Sequence, residues 1–305
     1  MDKHTKGITM ALIAATLWGI SGTCGQFLFQ QRNISVEWLM SVRMLCAGVI
    51  LLMVASLRRE SDVWNIWQNK SHARQILMFG ILGMLTVQYT YFAAIKYSNA
   101  ATATILQFSA PVLIAIYLAI RYSQKLSKLG YLAILLALIG TFMLVTHGDI
   151  RSLSISPMAF VLGIASAVSL AIYTLMPAQL LKKYSAITVI GWGLFIGGLA
   201  ISFFKAPWQA DGIWDLYTYA NSTFVVLFGT LIPFYLYIKA VQLIGGQKAS
   251  LLTSAEPLSA TLIAVIWLGV SFHMMDWLGA LFIIATVFLL SIGKEKQHAR
   301  KKPTL

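Results

Sequence analysis

The chain has 305 residues, 58% of them hydrophobic and 11% charged, with a mean hydropathy of +0.76 and a formal net charge of +13. A soluble domain carries about 25% charged residues, so there is too little polar shell here for a soluble enzyme, a disordered chain or a disulfide-stapled secreted domain. A polytopic helical membrane protein is indicated.

Apolar runs between charge and turn clusters predict ten helices, near 7–29, 36–57, 73–95, 99–121, 128–146, 157–180, 186–204, 221–243, 249–270 and 274–292. A span takes about 20 residues, so ten use roughly 200 and leave short loops. The first run exceeds a signal-peptide core and has no small-residue cleavage site, so it reads as a retained helix. Segments 59–72 and 205–220, with Trp64, Trp67, Trp208 and Trp214, read as connectors lying on the membrane surface.

Charge placement gives the orientation. With the N-terminus in the cytoplasm, eighteen basic residues fall on the cytoplasmic side: Lys3, Lys6, Arg58, Arg59, Lys70, Arg74, Arg121, Lys125, Lys128, Lys182, Lys183, Lys239, Lys248, Lys294, Lys296, Arg300, Lys301 and Lys302. Only Arg32, Lys96, Arg151 and Lys205 face outward, and Arg43 lies within the second helix. The positive-inside rule then places both termini inside, as an even number of spans requires. The same sorting removes the basic surface that nucleic-acid binding needs. Trp38, Tyr122, Tyr131, Tyr184 and Trp277 at run edges fit an interfacial aromatic belt. Cys24 and Cys46 lie in apolar runs and read as packing residues.

The two halves resemble each other. Residues 101–111, Ala-Thr-Ala-Thr-Ile-Leu-Gln-Phe-Ser-Ala-Pro, match 247–257, Gln-Lys-Ala-Ser-Leu-Leu-Thr-Ser-Ala-Glu-Pro, so that Pro111 pairs with Pro257 and Gln107 with Thr253. Trp64 and Trp67 pair in the same way with Trp214 and Tyr217. Five helices is an odd number, so the second unit enters the membrane from the opposite side. The expected fold is an all-α integral membrane protein of ten transmembrane helices in two inverted five-helix repeats, 1–150 and 151–305. Such repeats build many secondary transporters, with the solute site near the midplane between them.

Two formal charges sit well within the predicted spans, Arg43 and Glu256. Glu256 lies about seven residues into the ninth helix, roughly 10 Å deep at 1.5 Å per residue, and Pro257 breaks the helix beside it. It reads either as a protonatable or solute-facing carboxylate, or as a neutral or hydrogen-bonded packing acid. Arg43 is expected to snorkel outward or cap neighbouring carbonyls. Gln107 and Pro111 interrupt the fourth helix at the equivalent place, and paired interruptions point to a binding site. Trp18, Ser21, Gln88, Tyr89, Phe92, Ser169, Tyr173 and Tyr235, with Thr253, complete the candidate pathway; each aromatic taken alone reads equally as packing. Gly193 and Gly197 have G-x-x-x-G spacing, which serves either internal packing or a homodimer.

The stretches 101–111 and 248–257, with Ala-Ala-Thr-Leu-Trp-Gly at 14–19 and Leu-Gly-Ala-Leu-Phe-Ile-Ile-Ala at 278–285, resemble the drug/metabolite transporter superfamily, EamA type. The resemblance covers nearly the whole chain. It implies a bacterial inner-membrane carrier of small metabolites, often an exporter of amino acids, amines or toxic compounds, with a cavity formed by helices 1, 3, 4, 6, 8 and 9. Members commonly carry Glu just after helices 4 and 9, where this chain has Gln124 and Val270. That departure leaves Glu256 as the candidate for proton coupling.

The expected function is therefore secondary transport, an export by alternating access. An uncoupled facilitator and a structural or sensory membrane subunit are the alternatives. The partners expected are a small-molecule solute, the bilayer and protons as coupling ion. A membrane enzyme would need clustered nucleophiles, acids or metal ligands. His4, His72, His147, His273 and His298 sit in loops, tails or at helix ends, and no H-E-x-x-H, G-x-S-x-G or phosphate-binding loop is present. No cofactor or metal is expected.

Overall fold

The computed structural model describes residues 2–57, 62–121, 128–147, 149 and 155–301. Among them nine helices are long and apolar enough to cross a membrane, and a tenth apolar helix is shorter. We number these spans α1 (Lys3–Gln31), α2 (Val36–Leu57), α3 (Lys70–Tyr97), α4 (Ala100–Arg121), α5 (Lys128–Thr146), α6 (Pro157–Ala178), α7 (Ala186–Ser202), α8 (Leu216–Ile244), α9 (Lys248–Leu268) and α10 (Met274–Ile292). A short helix, Asp62–Gln68, lies in the α2–α3 connector. Arg58, Arg59, Tyr122, Gln124, Lys125, Arg151 and Lys302 lie outside the described residues.

Local chemistry explains where the spans begin. Asn69 accepts from the backbone N–H groups of Ser71 and His72, Asn99 from Thr102, Ser156 from Ala159, Ser185 from Thr188 and Asp215 from Thr218. Each satisfies donors that a helix start leaves without a partner. The caps of Asn69 and Asp215 start α3 and α8 several residues before the predicted 73 and 221.

Packing follows the repeat. In α2, a side chain on Gly48 would strike the backbone of Phe195; in α7, one on Gly198 would strike the backbone of Leu45. The two contacts are reciprocal between antiparallel helices, 48 with 195 and 45 with 198, which is the signature of an approximate two-fold relation. The chain is an all-α integral membrane protein of two inverted five-helix repeats. Gly193 packs on Phe79, and Gly197 on Met44 and the Gly80 carbonyl. This G-x-x-x-G face is thus spent inside the bundle and is not presented to a second copy.

Burial differs between the two ends. Residues 21–29 of α1, 91–95 of α3 and 100–110 of α4 are all buried, over consecutive turns and on every side of each helix. Along 113–121 of α4 every residue is half-buried or exposed. The bundle is therefore sealed at the end carrying Ser35 and Asn99, and looser toward the end carrying Lys3 and Arg121.

The sealed end is tied across the repeats. Arg32 meets Asp215 (Nη2 to Oδ2 3.0 Å), and its carbonyl accepts the Ile213 N–H (2.8 Å). Asp211 accepts the Ser35 N–H (3.0 Å) and pairs with Lys205 (3.3 Å). Gly212, at φ +76°, fits against the Arg32 carbonyl where a side chain would collide. Trp38 corrects its expected role as a belt anchor. It is buried, donates to the Pro207 carbonyl (2.9 Å) and stands edge-on to Trp214 (4.9 Å). Tyr131 and Trp277 are exposed, as belt residues are. Trp67 packs with exposed Trp64 against Trp192.

Candidate functional site

Both repeats break their fourth helix. In α4 the helix stops at Gln107 and resumes at Ala110; in α9 it stops at Leu252 and resumes at Ala255. Proline causes both, because Pro111 and Pro257 lack the N–H that would reach back one turn. The chain tightens into three-residue steps there, Ser109 N–H to Leu106 O and Ser254 N–H to Leu251 O, each 3.1 Å. The Thr253 carbonyl that Pro257 leaves is taken by the Glu256 N–H (2.9 Å). The hydroxyls of Ser109 and Ser254 are buried without a partner.

The third helix of each repeat is also irregular. π-helical turns occupy Phe79–Leu85 in α3 and Leu227–Leu231 in α8. Such turns shift the register and often mark functional sites. In α8 the turn lets the Thr230 hydroxyl bond the Val225 carbonyl five residues back (2.9 Å) while presenting its oxygen to α2.

Arg43 receives that oxygen. Its Nε donates to Thr230 Oγ1 (3.0 Å), and its guanidinium carbon lies 4.5 Å from the centroid of the Phe92 ring. The residue is 2% exposed, and its Nη1 has no hydrogen-bond partner. This corrects the expectation that Arg43 snorkels or caps carbonyls: the sealed half of the bundle encloses it before its side chain reaches either end. No carboxylate pairs with it among the described residues.

Glu256 is half-buried, at the second position of the α9 segment that resumes at Ala255. Its carbonyl and the Ala260 N–H lie where a side chain on Gly19 would go, so α1 and α9 touch backbone to backbone here. Tyr91, on α3, lies within electrostatic range of both Glu256 and Arg43. Its hydroxyl is 2.8 Å from Thr104 Oγ1. Thr104 commits its one proton to the Ala100 carbonyl (2.7 Å), so Tyr91 is the donor. Ser21 is buried with its hydroxyl unpartnered, pressed against Gly229. The structure thus gathers Ser21, Phe92 and Arg43 around the α8 turn, with the Tyr91 hydroxyl bonded to Thr104 nearby.

A second group lies on the looser side. Trp18 packs on Phe234 and Tyr237, at 5.5 and 5.6 Å between centroids, and Tyr173, which stacks on Phe79, stands within range of Tyr237. Gln107, Ser169 and Pro257 are buried, and Pro111 and Tyr235 half-buried. Thr253 spends its hydroxyl on the Ser250 carbonyl (2.6 Å). Tyr89 donates its hydroxyl to Glu37 Oε1 (2.8 Å) and packs against the core that holds Phe92, and Gln88 beside it is half-buried. Tyr91, Thr104, Thr230 and Tyr237 escaped the sequence reading. A Gly-Thr pair three residues before Pro233 is the one local signal that marks Thr230.

Two other features lie elsewhere. An apolar cleft of about 570 Å3 on the α2–α7 flank is lined by Leu52, Met53, Trp64, Trp192 and Phe195 and holds no titratable group. Between α5 and α10, His147 Nε2 lies 2.9 Å from Asp276 Oδ1, with His273 edge-on to His147. Among the described residues no group of three His, Cys, Asp or Glu is arranged to hold a metal.

The EamA-like transporter family model matches the chain twice, over residues 5–146 and 157–292. The chain belongs to the EamA-like transporter family. The EamA-like protein is 41% identical over 297 residues to the uncharacterized inner membrane transporter YicL of Salmonella typhimurium, covering 97% of this chain and 99% of that one. It is 25% identical to the uncharacterized transporter YwfM of Bacillus subtilis, over 94% of each chain. A solved structure described only as a crystal structure of a protein shares its fold, with a TM-score of 0.63 at 16% identity over 96% of this chain and 99% of that one. The EamA-like chain is accordingly a multi-pass membrane protein of transporter type, acting on a small-molecule solute within a lipid bilayer.

Proposed function

We propose that this EamA-like protein is a secondary transporter that exports small metabolites, namely amino acids, related amines or drugs, by alternating access. The moving units are the repeats 1–150 and 151–305, and both termini lie in the cytoplasm. The observation that carries this reading is the pairing of broken helices: α4 and α9 are interrupted at equivalent points, beside Gln107 in one and Glu256 in the other. The tight packing at one end and loose packing at the other supports it, because a carrier closed on one side has that asymmetry.

Glu256 carries the coupling proton in this scheme, since it is the half-buried acid lodged at the α9 break. Solute passes along Trp18, Ser21, Gln88, Tyr89, Phe92, Gln107, Ser169, Tyr173, Tyr235 and Thr253, with Pro111 and Pro257 setting the bends. The chain is not an enzyme in this reading, and it needs no cofactor. Counterflow in proteoliposomes, offering labelled amino acids, amines and nucleobases to the purified protein, is the test. Exchange of one solute class is expected. No exchange of any class by folded protein overturns the reading, and exchange that a proton gradient alone cannot drive uphill replaces it with an uncoupled facilitator.

A further inference from the structure

Among the described residues Arg43 has no counter-ion. It is 2% exposed, Thr230 takes one N–H, the Phe92 face takes the plane of the guanidinium, and Nη1 is left with no acceptor. Burying a charge in this way is costly unless it is paired. Thr230 is neutral and Phe92 offers only ring electrons, so neither cancels the charge. Around it Tyr91 bonds Thr104, and Gln26 bonds the Ala100 N–H and Gln30, while the buried Ser21 hydroxyl has no partner. An unsatisfied buried cation with an unpartnered hydroxyl nearby points to a partner that this conformation excludes.

We infer that Arg43 is the anion-recognition residue of the transport pathway, pairing with the carboxylate of the solute when the sealed end opens. This rests on the transporter reading of the same site and deepens it by naming the solute class: molecules that carry a carboxylate, amino acids among those proposed above. Three features support it. The guanidinium fork matches a carboxylate in two parallel hydrogen bonds, and with Nε held by Thr230 the terminal nitrogens remain to make them. Tyr91 lies within electrostatic range of both Arg43 and Glu256, so a solute amine and a solute carboxylate find opposite charges in the same region. Finally, Ser21, whose buried hydroxyl also lacks a partner, presses on Gly229, the neighbour of Thr230, and so supplies a second free polar group beside the α8 turn.

The test uses full-length protein in proteoliposomes and matched probes: an amino acid, its amide, which lacks the carboxylate, and its N-acetyl derivative, which lacks the amine. Wild-type protein and Arg43→Gln are compared in counterflow. The variant is expected to lose amino-acid exchange by about tenfold or more, the usual size of a charge-assisted pair, while amide exchange changes little. Arg43→Lys is expected to recover part of the loss. Melting in detergent separates this from a structural role: removing an unpaired buried charge leaves Arg43→Gln at least as stable as wild type.

Equal loss of amide and amino acid, or a lower melting temperature for Arg43→Gln, overturns the inference and makes Arg43 structural. Wild-type exchange of amines with no carboxylate solute moved also overturns it while leaving the transporter reading intact. Absence of exchange for every probe and every solute class overturns both.

Discussion

Gly19 shows how little room the centre of the bundle allows. A β-carbon there would meet Ser259 Oγ and come within 2.7 Å of the Ala260 nitrogen and the Glu256 carbonyl, two backbone atoms that cannot rotate away. Gly19→Ala is expected to cost roughly 1–3 kcal/mol, the range for overpacking, and to lower the melting temperature in detergent. Gly246→Ala, whose nearest atom is 3.9 Å off, should leave it unchanged or raise it slightly. At Glu256 the effect belongs to function: Glu256→Gln should abolish solute accumulation driven by a proton gradient, and retention of full pH-driven uptake would remove this acid from the coupling scheme. Glu256 was legible in the sequence because an acid before a proline inside an apolar run is a local anomaly. The surroundings of Arg43 were not, since Thr230 lies 187 residues away and a hydropathy pattern does not say which helices meet.

At the scale of the element, hydropathy and cap chemistry made the spans readable, while π turns and cross-repeat ties depend on neighbours distant in the chain. The proline positions announced the α4 and α9 breaks; nothing announced that Phe79–Leu85 and Leu227–Leu231 would add an extra residue to a turn. Replacing both Pro111 and Pro257 by Ala should let the two helices straighten, with melting unchanged or higher and exchange slowed several-fold. The connector 205–220 read as a surface segment, yet Asp211 and Asp215 reach across it to the first repeat. Burial alone would raise the Asp211 carboxyl, but the Ser35 N–H and the Lys205 ammonium outweigh it and hold Asp211 below the usual carboxylate range. The Thr218 N–H, with its hydroxyl and Arg32, does the same for Asp215. A carboxylate lowered in the folded state contributes stability above its unfolded pKa of about 3.9, and that contribution is lost as pH falls through the lower folded value. Melting should therefore be insensitive to these two groups from about pH 5 to 8 and fall below about pH 4. Asp211→Asn with Asp215→Asn should show a shallower acid decline, a modest change because both groups are partly exposed.

At the scale of the whole molecule, the inverted repeat ties these observations together. The reciprocal contact of Gly48 with Phe195 and Gly198 with Leu45 gives the repeats a shared axis; the 32–38 and 205–218 segments tie them at the sealed end, and at the other end His72 bonds the Tyr184 hydroxyl (2.7 Å) and Trp192 donates to the Val63 carbonyl (2.8 Å). In the alternating-access proposal, rocking about such an axis parts the 32–38 and 205–218 segments before solute leaves by the sealed end. The most direct test replaces Cys24 and Cys46 by Ala, places cysteines at Ser35 and Asp211, and joins them with a short thiol cross-linker cleaved by reduction. Counterflow is then measured before linking, after linking and after cleavage. The account predicts exchange that stops on cross-linking and returns on cleavage; exchange at an undiminished rate through the linked protein would contradict it.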